Sequence, residues 1–232
     1  MSEDDAKIWV KNKANQDLVL KMFLETNPPV RAKVAFFMAG IPGAGKTEFA
    51  ENTIRESSSH LLPIEHDKLV EYIEGYQPED YYNFRKAGSV LVTRIFDDAI
   101  KNGYAFIFDG TLSHENGARN IKKALNAGYD VYVVYIVQEA RLAWELTQAR
   151  EVVKKRSIQK SGFISTCNKL NANLSTIFSN FRANKAFHFW IINKQGNIDM
   201  KSGSITLHDS QSDKHLEIEK ELSKTYNLDE IG

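Results

Sequence analysis

Eight consecutive residues, Gly40-Ile41-Pro42-Gly43-Ala44-Gly45-Lys46-Thr47, carry the pattern G-x-x-x-x-G-K-T. Chemically this is a phosphate trap. Its glycines let successive backbone N–H groups turn inward around phosphate oxygens, and a helix starting near Lys46 adds the positive end of its dipole. Lys46 is placed to reach β- and γ-phosphates, and the Thr47 hydroxyl to ligate Mg²⁺. Phosphoryl transfer also needs a metal-orienting carboxylate, a proton acceptor and further cations. Asp109, in Phe108-Asp109-Gly110-Thr111, ends an apolar run and suits the first role; the alternative is a turn former at a strand end. Asp67 could accept the proton of an attacking hydroxyl, or cap the helix expected over Lys68–Ile73. On an extended segment the neighbouring His66 would diverge from it. Arg150 and Arg156 lie in the charged stretch Arg141–Lys160, which is either a solvated helix face or a basic lid over a nucleotide.

Other chemistries find little support. The one cysteine, Cys167, cannot form an intrachain disulfide, and the six histidines have no metal-ligand spacing. A reducing cytoplasm is therefore expected. Asn193-Lys194-Gln195-Gly196 superficially suggests a guanine-reading loop but lacks the aspartate that would bind the base. Trp144, Tyr135 and Trp190 are expected to fill core or rim rather than stack on a base.

These groups need a scaffold that brings loop ends together. Val34–Met38, Leu61–Ile64, Tyr104–Phe108, Val131–Val137 and Phe187–Ile192 are short, nearly continuous apolar runs. Helical segments are expected between them at Glu48–Arg55, Lys68–Ile73, Val90–Lys101, Asn116–Asn126 and within Glu139–Phe181. Buried strands alternating with helices predict an α/β fold: a five-stranded, mostly parallel sheet with helices on both faces. Ligands then gather at the carboxyl edge, where the phosphate loop and Asp109 both fall. One or two helices are expected in Ala6–Glu25, packed on the sheet or forming a docking face. The reading is one domain: N-terminal helices (1–30), a core (31–197), and an appendage (198–232) with a hairpin near Lys201-Ser202-Gly203 and a closing helix, Lys214–Lys224.

With 232 residues, 42% hydrophobic and 26% charged, the chain can bury one substantial core. Lys plus Arg and Asp plus Glu each number 30, so the net charge is zero, which argues against a protein that coats nucleic acid. No stretch is apolar enough to span a bilayer, and the acidic Met1–Asp5 lacks the layout of a signal peptide.

The order of landmarks resembles the zeta toxin family of P-loop kinases, similar in fold to polynucleotide kinases and chloramphenicol phosphotransferase. The resemblance runs from Val34 to Asn197, through GIPGAGKT (40–47), IEHDKL (64–69), NGYAFIFDGT (102–111), GYDVYVVYIV (128–137), TQAR (147–150) and FHFWIINKQGN (187–197). It implies transfer of the γ-phosphate of ATP, with Mg²⁺, to the 3′-hydroxyl of UDP-N-acetylglucosamine. Gly40, Ile41, Pro42, Gly43, Ala44, Gly45, Lys46, Thr47 and Glu48 would hold the nucleotide, with Thr47 and Asp109 holding the metal. Asp67 would be the base, and Arg150 and Arg156 the lid arginines. Asp67, Asp109, Gly110 and Thr111 would meet the acceptor, as would Thr93, which stands where the family has an acidic sugar contact. The family's toxins are neutralised by an antitoxin protein covering the ATP site, so such a partner is implied. Two other readings stay open: a nucleic-acid 5′-hydroxyl kinase, and a non-catalytic nucleotide-binding regulator.

Overall fold

A computed structural model describes residues 1–56, 60–154, 158–194, 204–208, 215–229 and 231. The apolar runs form β1 (Val34–Ala39), β2 (Leu62–Glu65), β3 (Phe106–Asp109), β4 (Asp130–Val137) and β5 (Phe187–Asn193). They make the expected five-stranded parallel array, in the order β2-β3-β1-β4-β5. A sixth strand, β6 (Ser204–His208), extends it antiparallel to β5. The expected hairpin tip at Lys201-Ser202-Gly203 lies outside the described residues; the strand beyond it joins the main sheet. Helix α9 (His215–Leu222) forms where the closing helix was expected.

The sequence order of the crossovers fixes the layers. Helix α3 (Lys46–Glu56) links β1 to β2, while α5 (Tyr81–Asn102) returns from β2 to β3. Right-handed crossovers put these two on opposite faces. Helices α6 (Asn116–Asn126) and α8 (Lys160–Phe181) share the face of α5. There Lys123 of α6 pairs with Asp97 of α5 at 2.7 Å, and Phe178 of α8 meets Phe189 of β5 at 5.5 Å. The core concentrates under α5. Phe37 of β1 is fully buried, stacked on Phe108 at 5.6 Å and edge-on to Phe106 and Phe96 at 5.7 and 6.3 Å. It lies two residues before Ala39, where β1 delivers the chain to the glycine loop.

The clearest differences from expectation are at three helix boundaries. Helix α5 begins at Tyr81, far before Val90, because the Pro78–Asp80 turn starts it and tertiary burial of Phe84 and Ala87 overrides the weak helix propensity of Tyr81-Tyr82-Asn83-Phe84. The long charged stretch divides into α7 (Ala140–Lys154) and α8, with Gln159 extended ahead of α8. The expected Lys68–Ile73 helix starts two residues earlier, as α4 (His66–Leu69), and tightens into a 3₁₀ turn over Val70–Tyr72. Helices α1 (Glu3–Lys11) and α2 (Lys13–Thr26) pack against α5, tied by Lys86–Glu3 at 2.8 Å and Arg94–Asp17 at 2.9 Å. Among the described residues no helix is long and apolar enough to cross a membrane.

Phe37→Ala removes a ring enclosed on every side. We expect it to lower the unfolding free energy by about 3–5 kcal/mol, measured by urea titration; a loss under about 1 kcal/mol would show the surrounding rings collapsing into the space.

Candidate active site

The carboxyl edge of the sheet opens into a cleft of about 700 Å³. Three strand ends feed it. β1 runs into the glycine loop, β3 ends at Asp109, and β2 ends at Glu65 in register with Asp109. That register brings His66-Asp67, just beyond β2, level with the loop.

The loop is tightly framed. Gly43 has φ +79°, and a Cβ there would fall on the Ala143 carbonyl of α7. This second constraint, beyond backbone strain, makes glycine obligatory. The Thr147 hydroxyl, buried beside it, donates to the same carbonyl at 2.8 Å. On the other side the Gly40 N–H donates to the Thr111 carbonyl at 3.4 Å. The Thr111 hydroxyl pairs instead with Ser113 at 2.8 Å. Gly110-Thr111 therefore braces the loop through its backbone.

Helix α3 begins at Lys46, so the free N–H groups of its first turn face the cleft. Lys46 Nζ donates to the Ile41 carbonyl at 2.9 Å. Burial lowers its pKa below the ordinary 10.5; the Asp109 carboxylate opposes that shift, Arg150 adds to it, and Asp67 opposes it. Lys46, Asp109, Arg150 and Asp67 thus all act on one small volume.

Thr47 Oγ1 donates to Asp109 Oδ2 at 2.8 Å. With its proton directed to the carboxylate, the hydroxyl oxygen keeps lone pairs for a cation. Hydroxyl and carboxylate oxygens are the hard donors that Mg²⁺ prefers, and two of them leave room for waters and phosphate oxygens. Among the described residues no group of three or more His, Cys, Asp or Glu could hold a metal, so a cage built wholly of protein ligands is not what this edge offers.

Asp67 does not cap a helix. It lies inside the first turn of α4, where Glu65 takes the cap position without a side-chain cap bond. Its Oδ1 instead accepts from the Tyr81 hydroxyl at 3.0 Å. The expected divergence of His66 also fails, because the segment is helical. Tyr81 Oη lies 3.3 Å from His66 Nδ1, and His66 Nε2 lies 2.8 Å from the Arg85 carbonyl. A carbonyl only accepts, so Nε2 carries a proton and the ring is fixed in place. Tyr81 and His66 both line the cleft, and Tyr81, in contact with both side chains, is the one that donates to Asp67.

Gly43, Gly45, Lys46, Thr47, Glu48, Asp67, Asp109, Gly110, Thr111 and Arg150 all line the cleft, with Pro42. Ile41 and Ala44 are buried behind the loop as its anchors. Thr93 is not brought there. It is exposed on α5, with its hydroxyl bonded to the Ser89 carbonyl at 2.9 Å. It lies twelve residues, about 18 Å of helix, beyond Tyr81. Arg156 lies outside the described residues. Trp144 packs on Phe163, and Trp190 on Phe36 and Tyr132, as filling residues. Sequence reasoning missed Tyr81 and Lys194. The first was hidden by the late helix start, the second within a stretch weighed for guanine recognition and as a family landmark.

A parallel sheet with a glycine loop leading into α3 defines a P-loop α/β protein. The sequence model of the zeta toxin family matches residues 20–211, and the chain belongs to that family. No curated protein matches it in sequence. Among solved structures, a chain of the PezAT chromosomal toxin–antitoxin system of Streptococcus pneumoniae is similar, at 15% identity and TM-score 0.71. The match covers 95% of this chain and 92% of that one. A chain of the AvrRxo1-ORF1:-ORF2 complex with ATP matches at 14% identity and TM-score 0.60, covering 96% and 74%. A proposed kinase from Chloroflexus aurantiacus matches at 14% and 0.51, covering 75% and 92%. At such identities the likeness is one of fold.

Because burial holds the folded-state pKa of Lys46 below its unfolded value, the unfolded chain binds more protons between the two, and stability rises with pH in that window. Lys46→Met should therefore be more stable than wild type at pH 7, with the gap closing as pH approaches 10.5. Urea titrations at pH 7 and 10 check this; a variant less stable at pH 7 would refute it.

Proposed function

We propose that the chain is an ATP- and Mg²⁺-dependent kinase that transfers the γ-phosphate to a hydroxyl of a nucleotide sugar. By family, that hydroxyl is the 3′-hydroxyl of UDP-N-acetylglucosamine. One observation carries the reading: Lys46 and the Thr47–Asp109 pair, bonded at 2.8 Å, share a cleft with the tethered carboxylate of Asp67. A nucleotide-binding regulator has no need of Asp67 held by Tyr81. The chain's place in the zeta toxin family supports the same reading, as does a similar fold solved with ATP.

In this mechanism the loop amides and Lys46 bind the phosphate chain, and Arg150 spreads charge on the transferring group. Thr47 and Asp109 would hold Mg²⁺, which when bound neutralises developing charge on the phosphate oxygens. The acceptor hydroxyl attacks the γ-phosphorus in line; a new O–P bond forms as the bond to the β-phosphate oxygen breaks. Its proton passes to Asp67, whose carboxylate the Tyr81 hydroxyl holds in the cleft wall. Near-neutral charge disfavours an oligonucleotide acceptor. The biological role that fits is a cytoplasmic toxin restrained by an antitoxin that closes this cleft; the PezAT structure is of a chromosomal toxin–antitoxin system.

Incubation with labelled ATP and either UDP-N-acetylglucosamine or a 5′-hydroxyl oligonucleotide tests the acceptor, with label expected on the sugar nucleotide only. Lys46→Ala should abolish transfer. Asp67→Asn should lower kcat by about 10²–10⁴-fold while ATP still binds; turnover near that of wild type would remove Asp67 from the mechanism. Tyr81→Phe should lower kcat about tenfold with KM for ATP unchanged, the effect of losing one hydrogen bond to a charged group. An unaltered kcat would make Tyr81 a bystander.

A further inference from the structure

Leu112 has a backbone φ of +54°, in the left-handed region where a leucine Cβ crowds the following carbonyl. Among the described residues it is the one non-glycine with positive φ. Two distant elements hold it there. Its carbonyl accepts from Asn173 Nδ2 of α8 at 3.2 Å. Its side chain, only 7% exposed, lies over Gly117 in the first turn of α6, where a Cβ would fall 2.6 Å from Leu112 Cδ2. The donor stands on a firm post, because the buried Leu170, Leu174 and Ile177 anchor α8 around it. This strained residue directly follows the Asp109–Thr111 turn. Just before it the Thr111 carbonyl accepts from the Gly40 N–H at 3.4 Å, and Asp109 accepts from Thr47 at 2.8 Å. Just after it, the buried Ser113 closes back on the Thr111 hydroxyl at 2.8 Å.

We propose that Asn173 is a positioning residue of the phosphoryl-transfer site, holding Leu112 left-handed so that the Asp109–Thr111 turn stays closed on the phosphate loop. The peptide plane joining Thr111 to Leu112 carries the carbonyl that meets Gly40, and φ of Leu112 sets its angle to everything downstream. Asn173 and Gly117 pin that downstream side. Without the Asn173 bond the residue relaxes toward negative φ, and the Thr111 carbonyl turns off the loop. The strain sits where it fixes geometry. A glycine at this position would take the same φ without cost, but it would leave the turn free to adopt others. The turn bears both Asp109 and the brace on Gly40, whereas Asp67 is held separately by Tyr81. Loss of the clasp is therefore felt at the Thr47–Asp109 pair, where Mg²⁺ would bind, and not at the proposed base.

This inference rests on the cleft being a kinase site, and its test separates the two. The full chain is assayed with ATP, Mg²⁺ and UDP-N-acetylglucosamine as wild type, Asn173→Asp, Asn173→Leu, Leu112→Gly, and Leu112→Gly combined with Asn173→Leu. Calorimetry measures ATP affinity with Mg²⁺ and with EDTA, and the ligand-free thermal midpoint reports folding. Asn173→Asp and Asn173→Leu keep the size of the side chain and lose the donor. Each should raise the Mg²⁺ needed for half-maximal turnover about tenfold and lower kcat by a similar factor. The gain in ATP affinity on adding Mg²⁺ should shrink in step. Glycine takes φ +54° unaided, so removing Asn173 from the Leu112→Gly protein should cost less than about threefold more. A wild-type Mg²⁺ requirement and kcat in both Asn173 variants would overturn the proposal, even with a lowered thermal midpoint, and leave Asn173 a structural bond between α8 and the turn. So would the full loss recurring in the glycine background, since Asn173 would then act other than through Leu112. Wild-type protein that binds ATP with Mg²⁺ but leaves the sugar nucleotide unmodified would overturn the acceptor reading, and the calorimetric Mg²⁺ dependence then decides the role of Asn173. Wild-type protein that binds no ATP would overturn the kinase reading and this inference with it.

Discussion

The architecture of this edge depends on concentrating positive charge out of water. Lys46 is drawn in under the loop carbonyl of Ile41, the first-turn amides of α3 point the same way, and Lys194 is packed against Gly45 from the next strand but one. Arg150, exposed on α7, faces the same cleft from the solvent side. Such a cluster is costly in an empty cleft, because each ammonium surrenders solvent and feels its neighbours. The depressed pKa of Lys46 registers that cost directly. The rigid support is the parallel sheet with its close-packed rings around Phe37, which holds β1 and β3 so that the loop cannot relax outward.

The carboxylates are the counterweight, and they are handled differently. Asp109 is tied to Thr47, so it belongs to the phosphate side of the cleft. Asp67 accepts from Tyr81 and stands on another wall of the same cleft. The pairing of Glu65 with Asp109 sets the two walls at the same height. Glu65 is the buried carboxylate of the group. Burial pushes its pKa up, and the Lys68 ammonium at 3.0 Å pulls it down, so the charge nearest the backbone is offset before it reaches the cleft. The proposed mechanism gives the two walls opposite duties, one fixing phosphate and one accepting a proton, as in-line transfer requires.

Much of this was legible from composition and pattern. VAFFMA, FIFD and DVYVVYIV are apolar on both strand faces and admit only a covered sheet, and GIPGAGKT between a strand and a helix has one established use. The role of Asp67 was less legible. Read locally, an aspartate before Lys68-Leu69-Val70 is as good a helix cap as a base; the earlier start of α4 removes it from the cap position, and Tyr81 reaches it from the start of α5. Thr93 shows the converse. Ordering along the chain put it with the acceptor groups, but it lies about 18 Å along α5 from Tyr81 and on the solvent side.

By itself the sequence determined the sheet, the phosphate loop and the zeta toxin family, because hydrophobic period and glycine spacing act over a few neighbouring residues. The tertiary structure alone decided which distant side chains share the cleft: Tyr81 with Asp67, Thr47 with Asp109, and Lys194 against Gly45. The reason is that these encounters depend on strand register and helix start. Both are settled by burial of the whole core, and no local run of residues encodes them.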